Sequence, residues 1–484
     1  MRIIKTLLTG IAAMAAIPVF AQRSATIVAG QVVNRTADAP AVMTWNLCDP
    51  IVDSRMGTRL AEDGTFRFET DGITRFHNAT LKYGKFINFF VAPGDSVHLL
   101  IDAAKLKDGA SDAVRFGGAH AAENAQLDAV SDYLIERLYS YPEPLDKNGT
   151  PAAVVAQIKK RTEQTTDSLE VYVQRKGIAL TPAVRDFVQR DMIFTLANQL
   201  LDYRREDPEA RMALFGDPIF GIHDTLNLNT MMFPYHLSVY ANQCVDTDTT
   251  VHTVWRAGKY AEAARKILRV LSREPATVCR DVMVWGWMNP FAEEFPALCD
   301  SVPELRTAFV DGSLYERLET FCRKMSEAPS FPDTPIRGIA YLNADSSVTE
   351  VPEGDIFAYL TAKYPEKVLY IDVYATWCGP CRAELKEAPE LHKLMQGKDV
   401  VFVNLCLGSD RAAWNKLIGQ LRLEGENYWF DTDATNLFLS TYQLPGYPTY
   451  ILVRRDGRIA TLQAGRPSDL EYTIREITEL LLTD

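Results

Sequence analysis

Two cysteines, Cys378 and Cys381, stand in the run Trp377-Cys-Gly379-Pro380-Cys381, and Tyr447-Pro448-Thr449 follows about seventy residues later. Cysteines three apart at a helix start can close a small disulfide ring and open it again, which is the chemistry of dithiol–disulfide exchange. Zinc sites use the same spacing. Here no second Cys-x-x-Cys or Cys/His pair completes four ligands, so zinc is the weakest reading. Cys378 follows an apolar run and precedes a helical pattern, so it should sit at a helix N-terminus, where unpaired backbone N–H groups favour a thiolate. That makes Cys378 the expected nucleophile. Cys381, almost one turn on, is the expected resolving thiol. Pro380 stiffens the turn between them and removes one backbone donor.

Two carboxyls accompany the pair. Asp372 lies inside the apolar run Val368–Tyr374, where ionisation is disfavoured and its pKa should rise. It suits a general base that takes the proton from Cys381; its bland alternative is a hydrogen-bonded structural acid. Glu384 is three residues beyond Cys381, on the same helix face, and is otherwise a solvated helix residue. Pro448 offers a second wall. X-Pro bonds are the main source of cis peptides, and a cis bond there would turn the Tyr447 backbone toward Cys378. Trp377, Gly379, Pro380, Tyr447 and Pro448 are the candidate substrate-binding residues.

The elements that must position these groups read as alternating strand and helix. Val368–Tyr374 and Val400–Leu407 are buried strands, and Cys378–Met395 and Ala412–Leu421 are helices. Tyr447–Arg454 and Arg458–Gln463 flank Asp456-Gly457 as a hairpin, and Asp469–Leu482 closes the chain as an amphipathic helix. A mixed α/β sheet covered on both faces follows. Ser326–Thr334, with two prolines and small polar residues, is the expected linker before it.

Upstream, short strands run from Ala25 to about Ile101. Asp63-Gly64 reads as a hairpin turn between Thr58–Leu60 and Thr65–Glu69, and the whole suggests a small β-sandwich. His77 and His98 lack metal-ligand spacing and read as packing or surface residues. From about Ala121 to Met325 the pattern is helical, over Val154–Arg175, Pro182–Tyr203, Tyr260–Leu271 and Leu305–Cys322 among others. Ser301 with Glu304 reads as a capping box. Trp285, Trp287, Phe291 and Phe295 read as packing rather than as a ligand site. The expected divisions are a signal peptide at 1–21, a β-sandwich-like domain at 22–118, an α-helical domain at 119–327 and an α/β domain at 328–484.

Arg2 and Lys5, an apolar stretch from Leu7 to Phe20 and the small-residue site Val19-Phe20-Ala21 read as a cleaved signal peptide. The expectation is an exported, periplasmic chain with no lipid anchor and no membrane-spanning segment. Among 484 residues, 47% are hydrophobic and 24% charged, ordinary globular values. The net charge of −12 argues against nucleic acid or an anionic membrane as partner. Eight cysteines are too few for a disulfide scaffold in a chain of this size. Cys244, Cys279, Cys299 and Cys322 allow three pairings, which sequence leaves open. Cys48 and Cys406 read as small buried hydrophobes.

The run Asp372-Val-Tyr-Ala-Thr-Trp-Cys-Gly-Pro-Cys381, then Arg382-Ala-Glu384, Gly446-Tyr-Pro448-Thr, Asp456-Gly457 and Gly465 resembles the thioredoxin superfamily. Within it the resemblance is to the TlpA/ResA-like envelope thiol–disulfide oxidoreductases, and it covers about residues 330–484. It implies a thioredoxin fold, nucleophilic Cys378, resolving Cys381, cis-Pro448, a buried acid at Asp372 and the envelope group's helix glutamate at Glu384. Thioredoxin carries a lysine near its buried acid on the next strand; Val400–Leu407 has none and holds Cys406 instead. No cofactor is implied beyond the redox-active disulfide. Cys-Gly-Pro-Cys is thioredoxin's own sequence, which favours reduction of exported proteins' disulfides with electrons from a membrane donor. Oxidase or isomerase chemistry, or a scaffold that uses this domain for partner recognition, are the other readings.

Overall fold

In the computed structural model, residues 25–483 are described apart from 50, 52, 111, 140–143, 326–333 and 445. The expected signal peptide and nearly all of the expected linker lie outside the described residues. So does the side chain of Cys48.

Eight strands open the fold: β1 Thr26–Val33, β2 Val42–Cys48, β3 Asp53–Arg59, β4 Thr65–Thr70, β5 His77–Tyr83, β6 Lys85–Val91, β7 Ser96–Asp102 and β8 Val114–Gly118. They form two four-stranded sheets, ordered β4-β1-β7-β8 and β3-β2-β5-β6. Alternating residues such as Phe66, Phe68 and Val97 point into one shared core, where Trp45 meets Phe68 edge-on at 5.9 Å. The Asp63-Gly64 turn forms, yet β3 and β4 do not pair. Leu60 N–H bonds back to Ala41 while β4 pairs β1. The turn therefore carries the chain between sheets, because Phe66 and Phe68 can be buried only from the opposite sheet.

The middle region is helical, including Ala121–Tyr139, Pro151–Lys176, Pro182–Asn198, Tyr260–Leu271, Val278–Glu294 and Gly312–Met325. Thr150 and Thr181 cap two of these through their hydroxyls, each followed by proline in the first turn. The expected capping box does not form. Ser301 ends the short helix Leu298–Ser301, and the Glu304 carboxylate accepts from Arg265 at 2.9 Å. The expected helix Leu305–Cys322 splits into Leu305–Ala308 and Gly312–Met325. Asp281 forces the break: its buried carboxylate accepts the N–H groups of Val310 and Asp311 at 2.8–3.0 Å. Phe291 and Phe295 pack with Trp255 and Tyr260, and Phe90 of β6 meets Phe187 edge-on at 4.8 Å. That last contact ties sandwich to helices. No helix among the described residues is long and apolar enough to cross a membrane.

The last region holds β9 Ile339–Leu342, β10 Val348–Glu350, β11 Val368–Tyr374, β12 Val400–Cys406, β13 Glu426–Phe430, β14 Thr449–Val453 and β15 Ile459–Thr461. They make one seven-stranded sheet in the order β10-β9-β13-β12-β11-β14-β15. β11 runs parallel to β12 and antiparallel to β14, and every residue of it is buried. Leu369, Ile371 and Val373 enter the core on one face of the sheet, and Val368 and Tyr370 the core on the other. This two-sided burial is why β11 reads as a continuous apolar run.

Candidate active site

Strand alternation puts Asp372 and Tyr374 on the same side of β11 as Val368 and Tyr370. That face packs against the helix Gly379–Leu394, whose Leu391 shares a core with Val368 and Tyr370. The chain leaves β11, turns through Ala375–Trp377 and enters this helix with Cys378 as its N-cap. The Cys378 sulfur accepts the Cys381 backbone N–H at 3.1 Å, so a helix donor faces this sulfur and would favour a thiolate there. Gly379 and Pro380 fill the first turn, where the missing N–H of proline leaves no bond unmade.

Cys378 and Cys381 are joined as a disulfide, with Cα atoms 5.3 Å apart. Their burial differs. Cys378 keeps 6% of its surface and Cys381 none, so of the two residues Cys378 is the one in contact with solvent. Trp377, 67% exposed, flanks the approach. Its indole N–H donates to the Gly408 carbonyl at 2.8 Å, and its ring meets Tyr447 edge-on at 5.7 Å. The Tyr447–Pro448 bond is cis, and Thr449 enters β14 opposite Val373. Thr376 N–H donates to Ser409 at 2.9 Å, which fixes the turn before Trp377 to the end of β12. The residues expected around the dithiol are thus brought together on one edge of the sheet.

Asp372 is buried to 4% and its Oδ1 has no hydrogen-bond partner. Burial pushes its carboxyl up to about 8, and repulsion from Glu384 adds to the rise, with Tyr450 nearby pulling slightly the other way. Glu384 is itself buried, which rules out the solvated reading. Its carboxylate accepts the Ser468 N–H at 3.0 Å and the Ser468 hydroxyl at 2.8 Å, with Arg466 at 3.9 Å. Two buried carboxyls near one dithiol cannot both ionise cheaply.

Sequence reasoning missed Ser468 and Arg466, whose role depends on a contact spanning 84 residues. It also left Cys406 solitary. Cys406 is opposite Tyr374 across the strand pair and shares a buried cluster with Cys378, Cys381 and Trp414. Burial pushes its thiol up to about 11, so it stays protonated and unreactive at neutral pH. A further neighbour comes from the sandwich. Gln443 brackets the Arg55 backbone, accepting its N–H at 3.0 Å and donating to its C=O at 2.7 Å. The Arg55 guanidinium is close enough to act on the Tyr447 hydroxyl, which burial pushes up to about 12.

Residues 344–481 match the Redoxin family. Thioredoxin-1 of Caenorhabditis elegans is 25% identical over 120 residues, covering 25% of this chain and 81% of that protein. The thiol-disulfide oxidoreductase ResA of Bacillus cereus is 25% identical over 114 residues, covering 23% of this chain and 64% of ResA. A Bacteroides vulgatus protein solved in solution, provisionally described as a thiol-disulfide oxidoreductase, is 33% identical over 33% of this chain and 93% of that one, with a TM-score of 0.25. The C-terminal part of this chain is a thioredoxin-like redoxin domain with a close Cys378–Cys381 pair, similar to ResA-type thiol–disulfide oxidoreductases and preceded by a β-sheet and helical extension.

Proposed function

We infer that this chain is an exported, periplasmic protein-disulfide reductase acting through Cys378 and Cys381. The observation that carries the reading is the unequal burial of the two sulfurs at a helix N-terminus. In the reduced protein the Cys378 thiolate attacks a client disulfide, forms a mixed disulfide and expels one client thiolate. Asp372 takes the Cys381 proton, and the Cys381 thiolate attacks the Cys378 sulfur. The second client thiol leaves, and the pair ends oxidised, as it stands in the structure. Two electrons have passed to the client, so a donor must restore them; in an exported protein a membrane carrier supplies them from the cytoplasm.

Trp377, Gly379, Pro380, Tyr447 and cis-Pro448 form the client-binding rim in this reading. Isomerase or oxidase chemistry is the second reading, favoured by the sandwich lying against the Tyr447 side of the site, where a folding client could be held. The equilibrium reduction potential, read by Trp377 fluorescence across thiol buffers, separates the two. A value near about −270 mV supports the reductase, and a value at or above about −180 mV supports the alternative.

A further inference from the structure

The middle region holds four cysteines, and two of them meet. Cys299, in the short helix Leu298–Ser301, and Cys322, in Gly312–Met325, place their sulfurs 3.1 Å apart in a buried contact. Unbonded carbon atoms, which are smaller than sulfur, rest at roughly 3.5–4.0 Å. The two sulfurs are therefore pressed together, about 1 Å beyond the length of a disulfide bond. The other two cysteines sit in different settings. The Cys244 sulfur faces the Glu274 carboxylate at 3.9 Å, and burial holds both the Cys244 and Cys279 thiols up at about 11.

We propose that Cys299 and Cys322 form a second disulfide that fastens the short helix Leu298–Ser301 to Gly312–Met325 during folding. The bond closes a loop between residues 23 apart in sequence. The oxidant is a low-molecular-weight or protein disulfide. One of the two attacks it as thiolate, forms a mixed disulfide and releases one thiol; the other then attacks that cysteine's sulfur and releases the second. Two protons and two electrons pass to the oxidant. Both cysteines lie in the helical core, Cys299 keeping 8% of its surface and Cys322 4%, and the bond fastens two helices to each other, which is a structural role.

The test uses the full chain, unfolded with reductant and refolded in a glutathione and glutathione-disulfide buffer, then alkylated and digested without reduction. The expected result is a linked peptide joining Cys299 and Cys322. In the full-length Cys378→Ser/Cys381→Ser variant, the denatured, refolded protein should titrate four thiols of the six that remain. The oxidised wild type should also melt roughly 5–10 °C above a Cys299→Ser/Cys322→Ser variant. Six titratable thiols, with both cysteines alkylated in the digest, would overturn the proposal. A peptide linking either of them to Cys244 or Cys279 would do the same.

Discussion

In the proposed cycle Asp372 serves the resolving step, and its burial has a measurable cost. An unfolded aspartate titrates near about 3.9, whereas burial and Glu384 raise the folded group to about 8. Between these values the folded chain holds a proton that the unfolded chain has lost, so stability falls as pH rises across the window. Asp372→Asn should therefore unfold later than wild type at pH 8, by roughly 2–4 kcal/mol, with the gap closing toward pH 4. Denaturant titration at the two pH values checks this. The same variant should slow release of a trapped mixed disulfide by roughly 100-fold and remove the rise in rate with pH near 8. Glu384→Gln removes the like charge, so the wild-type rise should survive but move to lower pH, a shift visible in stopped-flow fluorescence. Asp372 was legible because a carboxylate inside Val368–Tyr374 has no cheap explanation. The contact of Glu384 with Ser468 was not, since it depends on how the last loop folds back onto the helix.

The strand–turn–helix unit from β11 to Leu394 does what its sequence suggests, because local signals agree there. The apolar run, the N-cap cysteine and the first-turn proline all specify one geometry. Gly408 is the less visible part. It adopts φ 57°, and a Cβ there would lie 3.2 Å from the Tyr447 hydroxyl. Gly408→Ala should cost about 1 kcal/mol or more and change Trp377 fluorescence, since the indole is anchored on the Gly408 carbonyl. An unchanged emission spectrum would show that this anchor does not orient the ring. Elements failed to read where partner choice is non-local. Thr65–Thr70 has the pattern of a hairpin arm, yet its phenylalanines are buried from the other sheet. Glu426–Phe430 passed unnoticed because Glu-Asn-Tyr-Trp-Phe is too short and mixed to show a period, although it lies between β9 and β12.

At the scale of the whole molecule, the sandwich is docked directly on the redox region. The helix Thr432–Thr441 lies under β2 and β3, and the Asp433 carboxylate accepts the Ala41 and Val42 N–H groups at 3.2 Å each. Gly57 makes this approach possible: a Cβ there would lie 2.3 Å from the Ser440 hydroxyl oxygen. Gly57→Val should force the two bodies apart and expose the segment around Arg55 and Gln443 to limited proteolysis. If the sandwich helps to hold clients, turnover of a folded protein disulfide should fall several-fold while a small aromatic disulfide is reduced at the wild-type rate. Composition and motifs gave no hint of this docking, because it joins residues nearly 400 apart: the Asp433 carboxylate on backbone N–H groups, a close approach at Gly57, and Val42 entering the core of the redox region.

In the proposed cycle exchange runs through Cys378 and is completed by Cys381. The most direct measurement is to mix reduced, full-length Cys381→Ser protein with insulin, quench with acid and map the product without reduction. A stable mixed disulfide at Cys378, absent in the Cys378→Ser variant, is the predicted result. No adduct on Cys381→Ser, or an adduct formed through Cys381 in the Cys378→Ser variant, would mean that Cys378 is not the attacking thiol.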